Sequence, residues 1–160
     1  MASRRQFREP YVLLFLLYNE DDNATRYARQ IADARGIKVV KLSWELKKPA
    51  GVDVLMTHRS PEDFLSLFAH ADFVVTNSFH GLAFSINLEK QFLVVPRREF
   101  NSRIESLLRL TGLQSRMAAD RECLEIAEET IDYAPVCRIL NDQREKAKAF
   151  LNANICQEDP

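Results

Sequence analysis

The apolar positions of the chain fall into short unbroken runs separated by longer amphipathic stretches. Tyr11-Val12-Leu13-Leu14-Phe15-Leu16-Leu17 is continuous and too short for a helix, the pattern of a strand buried on both faces. The polar loop Asn19-Glu20-Asp21-Asp22-Asn23 follows, with Asp22 or Asn23 in position to cap a helix. Thr25–Arg35 then reads as that helix, with Tyr27, Ile31 and Ala34 on one face and Gly36 just past its end. Ile37–Leu42 is a second strand. Two buried strands joined through a helix imply a parallel sheet with a right-handed crossover.

Residues 43–59 are punctuated by Trp44, Pro49 and Gly51, with Val52–Met56 as a short extended piece. The next helix is well signed, with Ser60 as N-cap, Pro61 at its first position and Asp63 where a capping box would place Glu or Gln. Asp72–Val75 is a third strand, a helix runs from about His80 to Glu89, and Phe92–Val95 is a fourth strand. A helix over Asn101–Thr111 places Ile104, Leu107, Leu108 and Thr111 on one face and stops at Gly112. Arg116-Met117-Ala118 suits a short edge strand. After a charged linker, Pro135–Asn152 predicts a terminal amphipathic helix with Ile139, Leu140, Ala147, Phe150 and Leu151 facing inward. The alternation of strands and helices gives a three-layer, Rossmann-like α/β fold over residues 11–153. Residues 1–10 are expected to be a tag or linker remnant and 154–160 a tail.

The 160 residues bound this to one domain of ordinary size. A composition 46% hydrophobic and 28% charged is that of an average globular protein, and a net charge of −1 shows no electrostatic footprint for nucleic acid or anionic membrane. Cys123, Cys137 and Cys156 are odd in number and lack a CxxC spacing, which argues against a disulfide framework or a zinc site and fits a reducing compartment. The run Val12–Leu17 falls far short of the roughly 20 residues of a membrane span. The expectation is a cytoplasmic protein, at most peripheral to the inner membrane face.

Chemistry concentrates at Thr76-Asn77-Ser78-Phe79-His80-Gly81, between the third strand and the helix after it. Open α/β sheets bind ligands beyond the carboxyl ends of their strands, and free amides plus the helix dipole make an anion site there. Gly81 lies in the first turn of a helix, where glycine costs roughly 0.5–1 kcal/mol relative to alanine. Two readings stand side by side. Either Ser78 simply caps and Gly81 lets the helix pack close to the sheet, or the loop is shaped for a ligand. No GxGxxG or GxxxxGK[ST] is present, so neither a dinucleotide site nor a P-loop is supported. His70 ends a helix, where a histidine favours the dipole, and reads as structural. The histidines share no metal-ligand spacing, so no metal site is expected.

The stretch SPEDFLSLFAHADFVVTNSFHGLAFSINLEKQFLVV, followed by NSRIESLLRLTGL, resembles the C-terminal half of the polysaccharide pyruvyl transferase family. The likeness runs from about Ser60 to Leu113 and continues more weakly upstream to Tyr11. Members resemble GT-B glycosyltransferases in having two Rossmann-like domains around a cleft, and they transfer the pyruvyl unit of phosphoenolpyruvate onto sugar hydroxyls as a ketal. The resemblance therefore implies phosphoenolpyruvate as donor, with no further cofactor, and a saccharide or lipid-linked saccharide as acceptor. It also implies an N-terminal domain that this chain lacks, without which the chain is expected to be inactive.

On the residues, the resemblance implies His80 as general acid or phosphate ligand. Asn77 and Ser78 hold the loop and donate to the donor's phosphate, Gly81 permits close approach, and Arg103 grips the donor's anionic groups, with Arg97 and Arg59 as further cations in the phosphoenolpyruvate site. A plain alternative for Arg103 is an exposed arginine paired with Glu99 or Glu105. Two other readings of the whole remain. One is a sugar-nucleotide glycosyltransferase domain, with Glu99 as the acidic contact; the other is a non-catalytic anion-binding fragment.

Overall fold

The computed structural model describes residues 6–17, 22–57, 60–99, 101–118 and 122–155. Its strands are β1 (Tyr11–Phe15), β2 (Lys38–Leu42), β3 (Val54–Met56), β4 (Phe73–Thr76) and β5 (Phe92–Val94). Its helices are α1 (Asp22–Arg35), α2 (Pro61–Ala69), α3 (Phe79–Asn87), α4 (Ser102–Thr111), α5 (Cys123–Glu128) and α6 (Tyr133–Ile155). A 3-10 turn covers Gln114–Arg116. The strands form one sheet of order β3-β2-β1-β4-β5, parallel throughout. Chain order reverses between β1 and β4, so the crevice of this sheet lies beyond the carboxyl ends of those two strands.

The continuous apolar strands are those of a sheet covered on both faces. On one face Leu13, Phe15, Val74, Phe92 and Val94 pack with Leu67 and Phe68 of α2, Leu82 and Ile86 of α3 and Ile104 and Leu108 of α4. On the other, Val12, Leu14, Phe73, Val75 and Leu93 pack with Ala24, Ala28, Ile31 and Ala32 of α1 and with Ile126 of α5. The expected three-layer, Rossmann-like α/β architecture is therefore what the chain forms.

Several local expectations are corrected. Helix α1 begins at Asp22, so Asp22 and Asn23 lie within it rather than capping it, and its buried stripe is Ala24, Ala28, Ile31 and Ala32 while Ala34 is exposed. Small side chains dominate that stripe because the helix lies close against the sheet. The charged linker contains α5. Its last carbonyls are taken by two arginines: Arg116 donates to Ile126 O (2.7 Å) and Glu129 O (2.8 Å), and Arg35 to Ala127 O (2.8 Å). A helix this short survives because cations satisfy its orphan acceptors.

Met117 does lie beside the sheet, but as a single parallel bridge to Val94, with Arg116 in the preceding turn. Helix α6 is longer than expected, and Ala147, Phe150 and Leu151 face solvent instead of the core. Its core packing comes from its first turns, through Tyr133, Val136, Cys137 and Leu140, and farther along Arg144 reaches Asn87 Oδ1 at 2.8 Å. Within the stretch expected to be a linker remnant, Phe7 packs edge-on against Tyr11, ring centroids 5.3 Å apart. Among the described residues, no helix is long and apolar enough to cross a membrane.

Candidate functional site

The carboxyl ends of β1 and β4 are knitted together by three short polar side chains. Thr76 donates its hydroxyl to Phe15 O (2.6 Å) and accepts from Ser78 N (3.1 Å), closing a turn directly after β4. Asn77, only 3% exposed, accepts from Leu17 N at 2.9 Å, which ties the loop after β1 to the loop after β4. Ser78, in extended conformation, is the N-cap of α3 and accepts from Gly81 N. Asn77 and Ser78 thus build the loop, and both are buried.

Gly81 resolves the two readings of its place in the chain. A Cβ there would stand 2.3 Å from Thr76 Oγ1 and 3.0 Å from Phe15 Cδ1. What approaches this glycine is the protein's own β1–β4 seam, and the close packing of α3 on the sheet accounts for it. Its role as a direct ligand contact is not what this packing supports, because the space a side chain would fill is already occupied. The consequence for the site is indirect: α3 is seated with its amino end over the crevice. The amides of Phe79 and His80 precede its first hydrogen bond, from Leu82 N to Ser78 O, and have no acceptor among the described residues.

His80 is exposed at that amino end, its ring 5.9 Å from Phe79 and tilted 74° to it. Arg103, in the first turn of α4, lies over the other aromatic partner, its guanidinium carbon 5.3 Å from the centre of the Phe79 ring. Among the described residues Arg103 has no carboxylate partner, so the pairing with Glu99 or Glu105 is not formed. Stacking on Phe79 leaves the edges of the guanidinium available to an anion. Phe79, Ser102, Arg103, Ser106, Leu107 and Leu110 line an open groove of ≈ 370 Å³ between α3 and α4.

The loop leading to α4 is also held from within. Asn101 accepts from Arg97 N (3.0 Å) and donates to Arg97 O (2.6 Å), a two-point clasp across the turn. It is spent on this clasp and makes no cap for α4. Arg97 is half-buried and Arg98 exposed on the same loop. The structure thus brings His80, Arg103 and the Arg97–Arg98 loop to one end of the sheet. Arg59 and His58 lie outside the described residues. His70 caps the end of α2, its Nδ1 2.9 Å from Ser66 O, a structural place. Cys123 and Cys137 are free thiols, and Cys156 lies outside the described residues.

Three contributors to the site were not singled out from the sequence. Thr76 fastens the seam, Phe79 is the platform under Arg103, and Asn101 sets the arginine loop. The presence of Phe79 inside Ser78-Phe79-His80-Gly81 was a signal, since an aromatic that is only half-buried beside a cap leaves a ring face free.

A parallel sheet with its order reversal at β1 and β4, flanked by helices on both faces, defines a Rossmann-like α/β domain. The sequence profile described as polysaccharide pyruvyl transferase matches residues 1–99, and the chain belongs to that family. The match includes Asn77–Gly81 and ends before Asn101–Ile104. Among curated proteins none matches the sequence. Solved structures similar to it include the heptosyltransferase TibC of enterotoxigenic E. coli in complex with ADP-D-beta-D-heptose, at 14% identity over 91% of this chain and 48% of that one, TM-score 0.49. The glycosyltransferase SnogD from Streptomyces nogalater is 13% identical over 92% of this chain and 43% of its own, TM-score 0.49. MnaA of S. aureus with UDP is 16% identical over 95% and 48%, TM-score 0.48. The chain spans about half the length of these structures.

Proposed function

We propose that this chain carries the phosphoenolpyruvate site of a polysaccharide pyruvyl transferase, which moves the pyruvyl unit onto two hydroxyls of a saccharide as a ketal. The observation that supports it best is the meeting of His80, at the open amino end of α3, with Arg103 stacked on the adjacent Phe79. Phosphoenolpyruvate presents a carboxylate and a phosphate. A guanidinium fork and helix-terminal amides are the groups that match such anions.

In this reading Arg103, helped by Arg97 and Arg98, holds the donor's anionic groups, and the amides of Phe79 and His80 complete the cradle. His80 gives a proton to the methylene carbon, which becomes the methyl group while positive charge develops on the adjacent carbon. One acceptor hydroxyl adds there. The bond to the phosphate oxygen breaks, inorganic phosphate leaves with a proton, and the second hydroxyl closes the ketal. Asn77, Ser78 and Gly81 act by holding the loop. The acceptor saccharide and a second domain complete the reaction.

The test is a titration of the chain with phosphoenolpyruvate, read at the amides of His80 and Gly81. A few charge-assisted hydrogen bonds of about 1.5–3 kcal/mol each, less the cost of association, give a complex of roughly millimolar affinity. Arg103→Ala should weaken it by about 10-fold or more. A nucleotide sugar that shifts the same amides at lower concentration, with phosphoenolpyruvate inert, would replace this reading by the glycosyltransferase one.

A further inference from the structure

Helix α4 buries Ile104 and Leu108, and a second stripe beside them stays open. Ser102, Arg103, Ser106, Leu107 and Leu110 stand at i, i+1, i+4, i+5 and i+8, one face of a helix. With Phe79 of α3 they line the groove of ≈ 370 Å³, within the roughly 300–1,000 Å³ of small-molecule sites. From Ser102 to Leu110 the stripe runs about 12 Å at the helical rise, longer than the anion that Arg103 would hold.

The lining is chemically mixed along that length. Leu107 is half-buried and Leu110 is 45% exposed, and with the Phe79 ring they supply apolar surface. Ser102 and Ser106, one turn apart, are exposed, and their hydroxyls have no hydrogen-bond partner among the described residues. Each can donate one hydrogen bond and accept others. Arg103, the charged member of the lining, sits where α4 meets Phe79, the neighbour of His80.

Neutral hydroxyls beside apolar surface are what a sugar ring requires, since a pyranose carries C–H bonds on its faces and hydroxyls round its edge. A partner helix would call for an unbroken apolar stripe, and Ser102 and Ser106 interrupt this one. A second phosphate would call for a further cation, and the lining includes none besides Arg103 among the described residues.

We propose that the groove between α3 and α4 is the subsite for the acceptor saccharide. Ser102 and Ser106 bind its hydroxyls, and Phe79, Leu107 and Leu110 meet its C–H face. This rests on the proposed donor site. The hydroxyls that form the ketal must come within bonding reach of the donor's carbon, so the two sites share a border, and Arg103 belongs to both.

The experiment titrates the 15N-labelled chain with four neutral probes, the methyl glycosides of glucose, galactose, mannose and N-acetylglucosamine, each to about 100 mM. At least one should shift the amides of Ser106, Leu107 and Leu110 saturably. Leu65 and Leu124, exposed leucines on other helices, should stay unmoved. Ser106→Ala and Leu110→Ser should each raise that Kd about threefold or more, while Ser106→Thr, which keeps the hydroxyl, should hold it within about twofold. The inference is overturned if no glycoside shifts the groove amides of the unaltered chain, a result that needs no variant to fold. It is equally overturned if Leu65 and Leu124 shift as much, or if folded Ser106→Ala and Leu110→Ser chains bind as tightly as the original. A parallel titration with phosphoenolpyruvate, read at His80 and Gly81, tests the donor site by itself. Phosphoenolpyruvate binding without a glycoside shift removes the acceptor subsite and leaves the donor reading standing. Glycoside binding in the groove without a phosphoenolpyruvate response upholds a saccharide site and overturns the donor reading.

Discussion

Replacing Gly81 by alanine sets a methyl group 2.3 Å from Thr76 Oγ1 and 3.0 Å from both Thr76 Cβ and Phe15 Cδ1. Thr76 cannot simply turn away, because its hydroxyl bridges Phe15 O and Ser78 N. Losing those two bonds costs about 1 kcal/mol each, and pushing a packed seam apart costs about 1–3 kcal/mol. The gain in helix propensity, up to about 1 kcal/mol, offsets part of this. The net expectation is destabilisation by about 2–4 kcal/mol, a fall in Tm of roughly 5–15 °C for a domain of this size. Urea unfolding followed by circular dichroism measures it, with an unchanged m-value confirming that the native state is the one affected. Thr76→Ala in the same chain removes the 2.3 Å contact, so the double variant should recover about 1 kcal/mol or more relative to additivity. A Gly81→Ala chain within about 0.5 kcal/mol of the original, yet unable to bind phosphoenolpyruvate, would refute the packing argument and return the glycine to the ligand.

Arg116→Met removes the donors to the buried Ile126 carbonyl and the part-buried Glu129 carbonyl and should cost about 2 kcal/mol or more, with hydrogen exchange fastest at the α5 amides. The Asp53 carboxylate accepts from Val39 N at 2.7 Å and pairs with Arg29, which together hold its pKa below the ordinary value. Its contribution to stability is then fully present above the unfolded value of about 3.9 and is lost as pH falls through the lower folded value. The gap in urea midpoint between the original chain and Asp53→Asn should therefore close below about pH 4. In α6, Phe150→Ser and Leu151→Ser should each change stability by less than about 0.5 kcal/mol, whereas Val136→Ala should cost about 2 kcal/mol. Equal losses at both ends of the helix would show that its far half is packed after all.

The strands were legible because each carries a short apolar run, broken in β2 only by Lys41, a pattern no exposed element sustains. Helix α2 was legible from Ser60 and Pro61, since capping chemistry is local. The far half of α6 misled because Ala147, Phe150 and Leu151 keep a helical period, and periodicity tells which residues share a face but not whether anything covers it. Helix α5 was hidden for the opposite reason: it is six residues long, and its stability rests on Arg116 and Arg35 arriving from distant parts of the chain. At the site, the loop and its cap could be read from residues adjacent in sequence. The reason for Gly81 could not, because it depends on Thr76 and Phe15 meeting across two strands. Nor could the stacking of Arg103 on Phe79, which joins the starts of two separate helices.

The clasp of Asn101 on both backbone groups of Arg97 has a kinetic meaning. A loop carrying Arg97 and Arg98 into Arg103 would ordinarily sample many shapes, and an anion would wait for the right one. With the turn closed by a side chain of its own, the backbone that carries the arginines of the proposed site is already ordered, so capture of an anion there would require less ordering. Association should then be governed by encounter and charge, fast and sensitive to ionic strength. Differences between ligands should appear in how long each one stays.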